Sequence, residues 1–176
     1  GLFATLIIGT MIQQIGLLIG GSTGNVIYLL GKAAAALTSA GIGVGVAVKY
    51  GESPLVTVSA AVAAMVGGYA GKITGGTFFV DGNAVLAGPG EPLGAFIAAF
   101  AGITCGHLVS GKTKVDIIVT PVITIGAGSV VGLLVGPPIS QMMTGLGSII
   151  NWATEQRPFI MGIVVSVVMG MVLTLP

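Results

Sequence analysis

The sequence predicts an all-α membrane protein, a polytopic helical bundle with about six spanning or re-entrant segments, short broken helices and one amphipathic interfacial segment. Three observations carry that prediction. Of 176 residues, 54% are hydrophobic and only 6% charged. A soluble domain carries about 25% charged residues, because its surface faces water. A mean hydropathy of +1.09 says the same. Second, there are 31 glycines, far above the usual ~7%. They show no collagen period and sit inside apolar runs, where small residues let membrane helices pack backbone to backbone. Third, six apolar stretches approach the roughly 20 residues that one crossing needs.

Residues 1–20 form the first stretch, interrupted only by Gln13-Gln14. Residues 25–48 form the second, with Lys32 inside it. Residues 54–70 and 93–109 are shorter, and the latter holds Cys105 and His107. Residues 115–136 are β-branched and glycine-rich around Pro121, and 158–175 form the last. Between these lie turns. Gly51-Glu52-Ser53-Pro54 is tight and polar, and Gly111-Lys112-Thr113-Lys114 is basic. The connection 71–92 is rich in turn residues, and its Thr77-Phe78-Phe79-Val80 reads as a short strand or a re-entrant piece. Residues 137–157 start at Pro137-Pro138 and read as interfacial, with Met142, Met143, Trp152, Glu155 and Arg157. The chain starts at Gly1 and stops at Pro176 in or just after apolar runs, so the expectation is one transmembrane domain, 1–176, of a longer chain.

Two segments look alike. Gly51-Glu52-Ser53-Pro54-Leu55 opens an Ala/Gly-rich run that ends at Gly71-Lys72. Gly90-Glu91-Pro92-Leu93 opens another that ends at Gly111-Lys112. An internal repeat and chance similarity of low-complexity helices both account for this. Lys49, Lys112 and Lys114 fall on one side of such a bundle, and Lys72 and Arg157 on the other. The positive-inside rule makes the Lys112/Lys114 side cytoplasmic.

Several functions are excluded. A net charge of +1 gives no basic field for nucleic acid. A single cysteine gives neither an intrachain disulfide nor a zinc motif. Gly106 to Thr113 has the letters of a phosphate-binding loop but closes a membrane helix instead of opening a soluble one, so the match is rejected. No catalytic site, metal site or cofactor site is expected.

Ionisable groups near membrane depth are costly and become candidates for function. Glu91 leads them. It lies between Gly90 and Pro92, where a turn-rich loop enters a short apolar helix. One reading makes its carboxylate an acceptor for ligand hydroxyls; the other makes it an acid that complements a helix dipole. His107 reads as a hydrogen-bonding histidine more than as a metal ligand, since Cys105 and His107 are only two ligands. Gln13 and Gln14 point about 100° apart on a helix, so at least one needs a protein or cavity partner. Asn83 is foremost a turn former. Lys32 either snorkels or pairs.

Four segments carry a family resemblance: Gly90-Glu91-Pro92-Leu93-Gly94-Ala95-Phe96, Ser110 through Pro121, Gly136-Pro137-Pro138-Ile139, and Pro158 through Ser166. Together they resemble the membrane-embedded IIC-type subunits of the bacterial phosphotransferase system, in the branch that includes the perfringolysin regulator-like proteins. The resemblance implies a multi-pass protein of the bacterial inner membrane that moves a sugar-like solute by alternating access. Separate soluble phosphotransferase subunits would supply the phosphate. It also implies that Glu91 belongs to a loop that holds sugar hydroxyls. A homodimer is expected. Gly90, Glu91, Pro92, Gln13, Gln14, Asn83 and His107 are the candidate solute-binding residues. The alternative is a ligand-sensing membrane regulator that does not transport. A channel would show a polar stripe at helical spacing, and none is visible.

Overall fold

The structure, a computed structural model, describes residues 3–80, 83–86, 88–155 and 158–174. A π-helical turn, Phe3–Ile7, leads into α1 (Ile8–Ile19), followed by α2 (Gly21–Ala36), α3 (Thr38–Lys49), α4 (Pro54–Gly68) and the short α5 (Ala70–Thr74). An antiparallel hairpin of β1 (Phe79–Val80) and β2 (Asn83–Ala84) precedes α6 (Pro92–Val109), α7 (Asp116–Glu155) and α8 (Pro158–Thr174). The predicted all-α membrane class holds. The strand reading of Thr77–Val80 is realised in its second half, where Val80 pairs with Asn83. Asp81 and Gly82 lie outside the described residues.

The chain forms two compact units, Gly1–Pro137 and Pro138–Pro176. In the first, α1 and α2 form an antiparallel hairpin on glycine contacts. A Cβ added at Gly31 would sit 2.6 Å from the Gly9 carbonyl oxygen, and one at Gly24 would sit 2.5 Å from that of Gly16. Such backbone approach is how helices associate without a hydrophobic drive from lipid. The core lies among α3, α4 and α6, in Ala47, Val56, Ala60, Ala64, Ala95, Ala99 and Ile103. Alanines dominate it, so the helix axes come close. Exposed Leu18, Leu30, Val58, Ile117 and Leu134 point outward, as lipid-facing side chains do.

α4 and α6 run antiparallel. Ser53, at the start of α4, lies 3.3 Å from Ser110, just past the end of α6 (Oγ to Oγ). Gly67, at the end of α4, meets Gly94, at the start of α6. Both helices open with proline at the first position, where its missing N–H costs nothing. Each Pro follows a Gly-Glu turn whose glycine has a left-handed φ, 72° at Gly51 and 74° at Gly90.

Among the described residues, two helices, Pro92–Val109 and Asp116–Trp152, are long and apolar enough to cross a membrane alone. The count is three if α2 and α3 form one span, bent by 46°. Thr5–Ile19 and Pro54–Gly68 are shorter apolar helices. Composition alone does not separate a full crossing from a broken one, which is why six stretches yield fewer full-length helices. The stretch 25–48 becomes two helices with Leu37 between them.

The boundary at Pro137-Pro138 differs from the sequence reading. Residues 115–136 and 137–157 were read as a span and a separate interfacial segment, yet α7 is assigned as one helix from Asp116 to Glu155. Each proline removes its own N–H bond and crowds the carbonyl four residues back, and membrane helices tolerate this where neighbouring groups satisfy the freed backbone. The division of the chain into two compact units nonetheless falls between these prolines. In the second unit, Met142, Ile149 and Trp152 are exposed.

Candidate functional site

The bend between α2 and α3 contains neither proline nor glycine. Hydroxyl groups make it. Thr38 Oγ1 donates to the Ala35 carbonyl at 2.7 Å, and Tyr69 OH donates to that of Ala36 at 3.1 Å. Side chains that enter the backbone ladder in this way are a recognised cause of kinks. Thr38, Ser39 and Tyr69 are all buried.

Tyr69 sits at a second break, between α4 and α5. Both breaks grip one loop. Ser39 Oγ donates to the Pro89 carbonyl at 3.0 Å. The Tyr69 hydroxyl also faces the Gly88 carbonyl. It has one proton for two acceptors, so it bridges the helix break and the loop. The Glu91 N–H donates to the Gly68 carbonyl at 2.7 Å and so satisfies a carbonyl at the buried C-terminal end of α4. Gly88-Pro89-Gly90-Glu91 is thereby clamped between two interrupted helices.

Glu91 occupies the N-cap of α6, but its side chain makes no capping hydrogen bond. Its carboxylate is half-buried and keeps its lone pairs. Burial pushes the Glu91 carboxyl above its ordinary pKa, against the opposing pull of the Lys72 ammonium. Lys72 lies 5.3 Å over the Tyr69 ring. Beside the clamp, a cleft of about 450 Å3 is lined by Leu29, Lys32, Ala33, Ala36, Leu37 and Leu86. Lys32 is exposed there.

The raised pKa sets a direction. The folded state binds the Glu91 proton more readily than the unfolded chain does. This group's contribution to stability is therefore full below the ordinary value and is lost as pH rises through the higher folded value. Thermal unfolding in detergent is expected to show a midpoint that falls as pH rises above the ordinary carboxylate range, with a shallower fall in Glu91→Gln. Equal slopes would remove the buried-carboxyl assignment.

The structure distributes the sequence candidates. Gly90, Glu91 and Pro92 share the clamped loop. His107 lies at the other end of α6, with Nδ1 2.9 Å from Glu52 Oε1 and 3.2 Å from Oε2. Gln13 packs on Gly31 in the α1/α2 hairpin, and Gln14 is exposed. Asn83 is an exposed residue of β2. No hydrogen bond among the described residues joins Gln13, Gln14 or His107 to the Glu91 loop. Sequence reading missed Ser39, Gly68 and Tyr69. The only local signals were Thr38-Ser39 inside an alanine run and a tyrosine after Gly67-Gly68. Among the described residues, no group of three or more His, Cys, Asp or Glu side chains is arranged to hold a metal ion.

No curated protein and no solved structure matches the chain significantly. A family model described as Phosphotransferase system, EIIC, matches residues 1–176.

Proposed function

Since the chain belongs to the phosphotransferase system EIIC family, we propose that this permease-type membrane subunit binds a sugar-like solute at the Glu91 loop and moves it by alternating access. The single observation that carries the reading is the clamped loop: two helix breaks, at Leu37 and Tyr69, hold through Ser39 and the Tyr69 hydroxyl a loop whose Glu91 carboxylate caps no helix. Transporters bind solutes where interrupted helices expose backbone groups. Glu91 accepts hydrogen bonds from solute hydroxyls, and the Gly90 turn lets the backbone come close. Soluble phosphotransferase subunits are the partners that supply phosphate, and a homodimer in the bacterial inner membrane is the proposed assembly.

Uptake decides between a carrier and a ligand sensor. Proteoliposomes holding the purified full-length chain are expected to accumulate labelled hexose when the soluble phosphorylating subunits and a phosphate donor are enclosed. Without them, accumulation should be absent. Saturable hexose binding with no uptake under either condition would establish the sensor instead.

A further inference from the structure

The Glu52–His107 pair lies outside the site described so far. It lines a groove of about 270 Å3 with Tyr50, Phe100, Ile103 and Thr104. The Glu52 side chain is only 8% exposed, whereas that of His107 is 71% exposed. Both carboxylate oxygens face the same imidazole nitrogen, which leaves lone pairs for other donors. The Tyr50 and Phe100 rings stand 5.9 Å apart at the rim, tilted by 59°. The volume falls just below the ~300–1,000 Å3 of pockets for drug-sized ligands, so it suits one small ring.

The position of the groove matters as much as its chemistry. Glu52 precedes α4 and Glu91 precedes α6, each directly after a glycine of left-handed φ, and the two helices are antiparallel. The same Gly-Glu turn therefore stands at both ends of the helix pair. An 18-residue α6 separates the two ends by roughly 27 Å. Inverted elements of this kind are how carriers present equivalent surfaces to opposite sides of a membrane.

We propose that the Glu52–His107 groove is a second polyol-binding site at the mouth opposite the Glu91 loop. It takes one hexose-sized ring, with hydroxyls on Glu52 and His107 and the ring's apolar face against Tyr50 or Phe100. The solute class rests on the function proposed above; the location does not. Tyr50 and Phe100, both exposed, supply the stacking wall of this groove.

Equilibrium dialysis of the full chain in detergent against labelled glucose, mannose, galactose, N-acetylglucosamine and mannitol tests this. Two classes of site are expected for at least one polyol. Glu52→Gln and His107→Gln are each expected to weaken one class by at least tenfold and spare the other, which Glu91→Gln weakens by at least tenfold. If Glu52→Gln does not fold, Phe100→Leu keeps the Glu52–His107 contact and tests the stacking wall instead. A single class that Glu91→Gln weakens and Glu52→Gln, or Phe100→Leu in its place, leaves intact would overturn the second site and keep the first. A single class lost only in the Glu52, His107 or Phe100 variants would keep this groove and overturn the Glu91 reading. Binding of none of the five polyols would overturn both.

Discussion

Glu91→Gln is expected to weaken solute binding by about tenfold to a hundredfold while the helices stay in place. A hydrogen bond to a charged acceptor contributes roughly 1.5–3 kcal/mol, and each 1.4 kcal/mol is a factor of ten in affinity. The amide keeps the shape and one acceptor, and it loses the charge. The fold does not depend on the carboxylate, because Glu91 holds the clamp through its backbone N–H to Gly68 and makes no side-chain cap. The substitution also relieves a burial penalty, so stability near neutral pH should hold or rise. Calorimetry with the transported hexose reads the affinity, and thermal unfolding of the same samples reads the fold. Unchanged affinity in a folded variant would leave Glu91 as an acid near a helix N-terminus and remove the site assignment.

The helices were legible because their signals are local. Apolar runs set their extents, and Ser53-Pro54 and Glu91-Pro92 set two of their starts. Glu91 stood out as a charge between glycine and proline at the edge of an apolar run. The bend at Leu37 was not legible, since one of the hydroxyls that make it belongs to Tyr69, 33 residues away. The same distance problem hid Ser39, whose acceptor Pro89 is 50 residues on. His107 read as a solitary imidazole because Glu52 is 55 residues before it. Pro137-Pro138 misled for the opposite reason. The local rule says that proline stops a helix, and here the surrounding apolar helix outweighs it. The resemblance of the two Gly-Glu turns was visible, but not that the helices they open run in opposite directions. That relation appears only when Ser53 is seen beside Ser110.

Gly67→Ala is expected to destabilise the bundle by about 1–3 kcal/mol, the usual cost of forcing a methyl group into a filled core. Gly67 lies where α4 meets two neighbours. A Cβ there would collide with Ala98 on α6 and sit 2.5 Å from the Gly94 carbonyl oxygen. From α7, a Cβ at Gly132 would come within 2.8 Å of the Gly67 Cα. None of these obstacles is the end of a flexible side chain, so relief requires the helices to separate. Separation also pulls on the clamp, because the Gly68 carbonyl that holds Glu91 is the next residue along. Solute affinity should therefore fall together with stability. Gly126 is the control. It is also in α7, and a Cβ there meets nothing within 4 Å. Gly126→Ala is expected to hold or raise stability by up to about 1 kcal/mol, since alanine restricts the unfolded chain and favours helix. Cys105, half-buried on α6, gives the readout, as a thiol-reactive dye labels it when α6 leaves the bundle during a thermal ramp. Opposite signs for the two alanines tie stability to helix contact at Gly67. A Gly67→Ala midpoint equal to that of Gly126→Ala would mean that α4, α6 and α7 do not meet at this point.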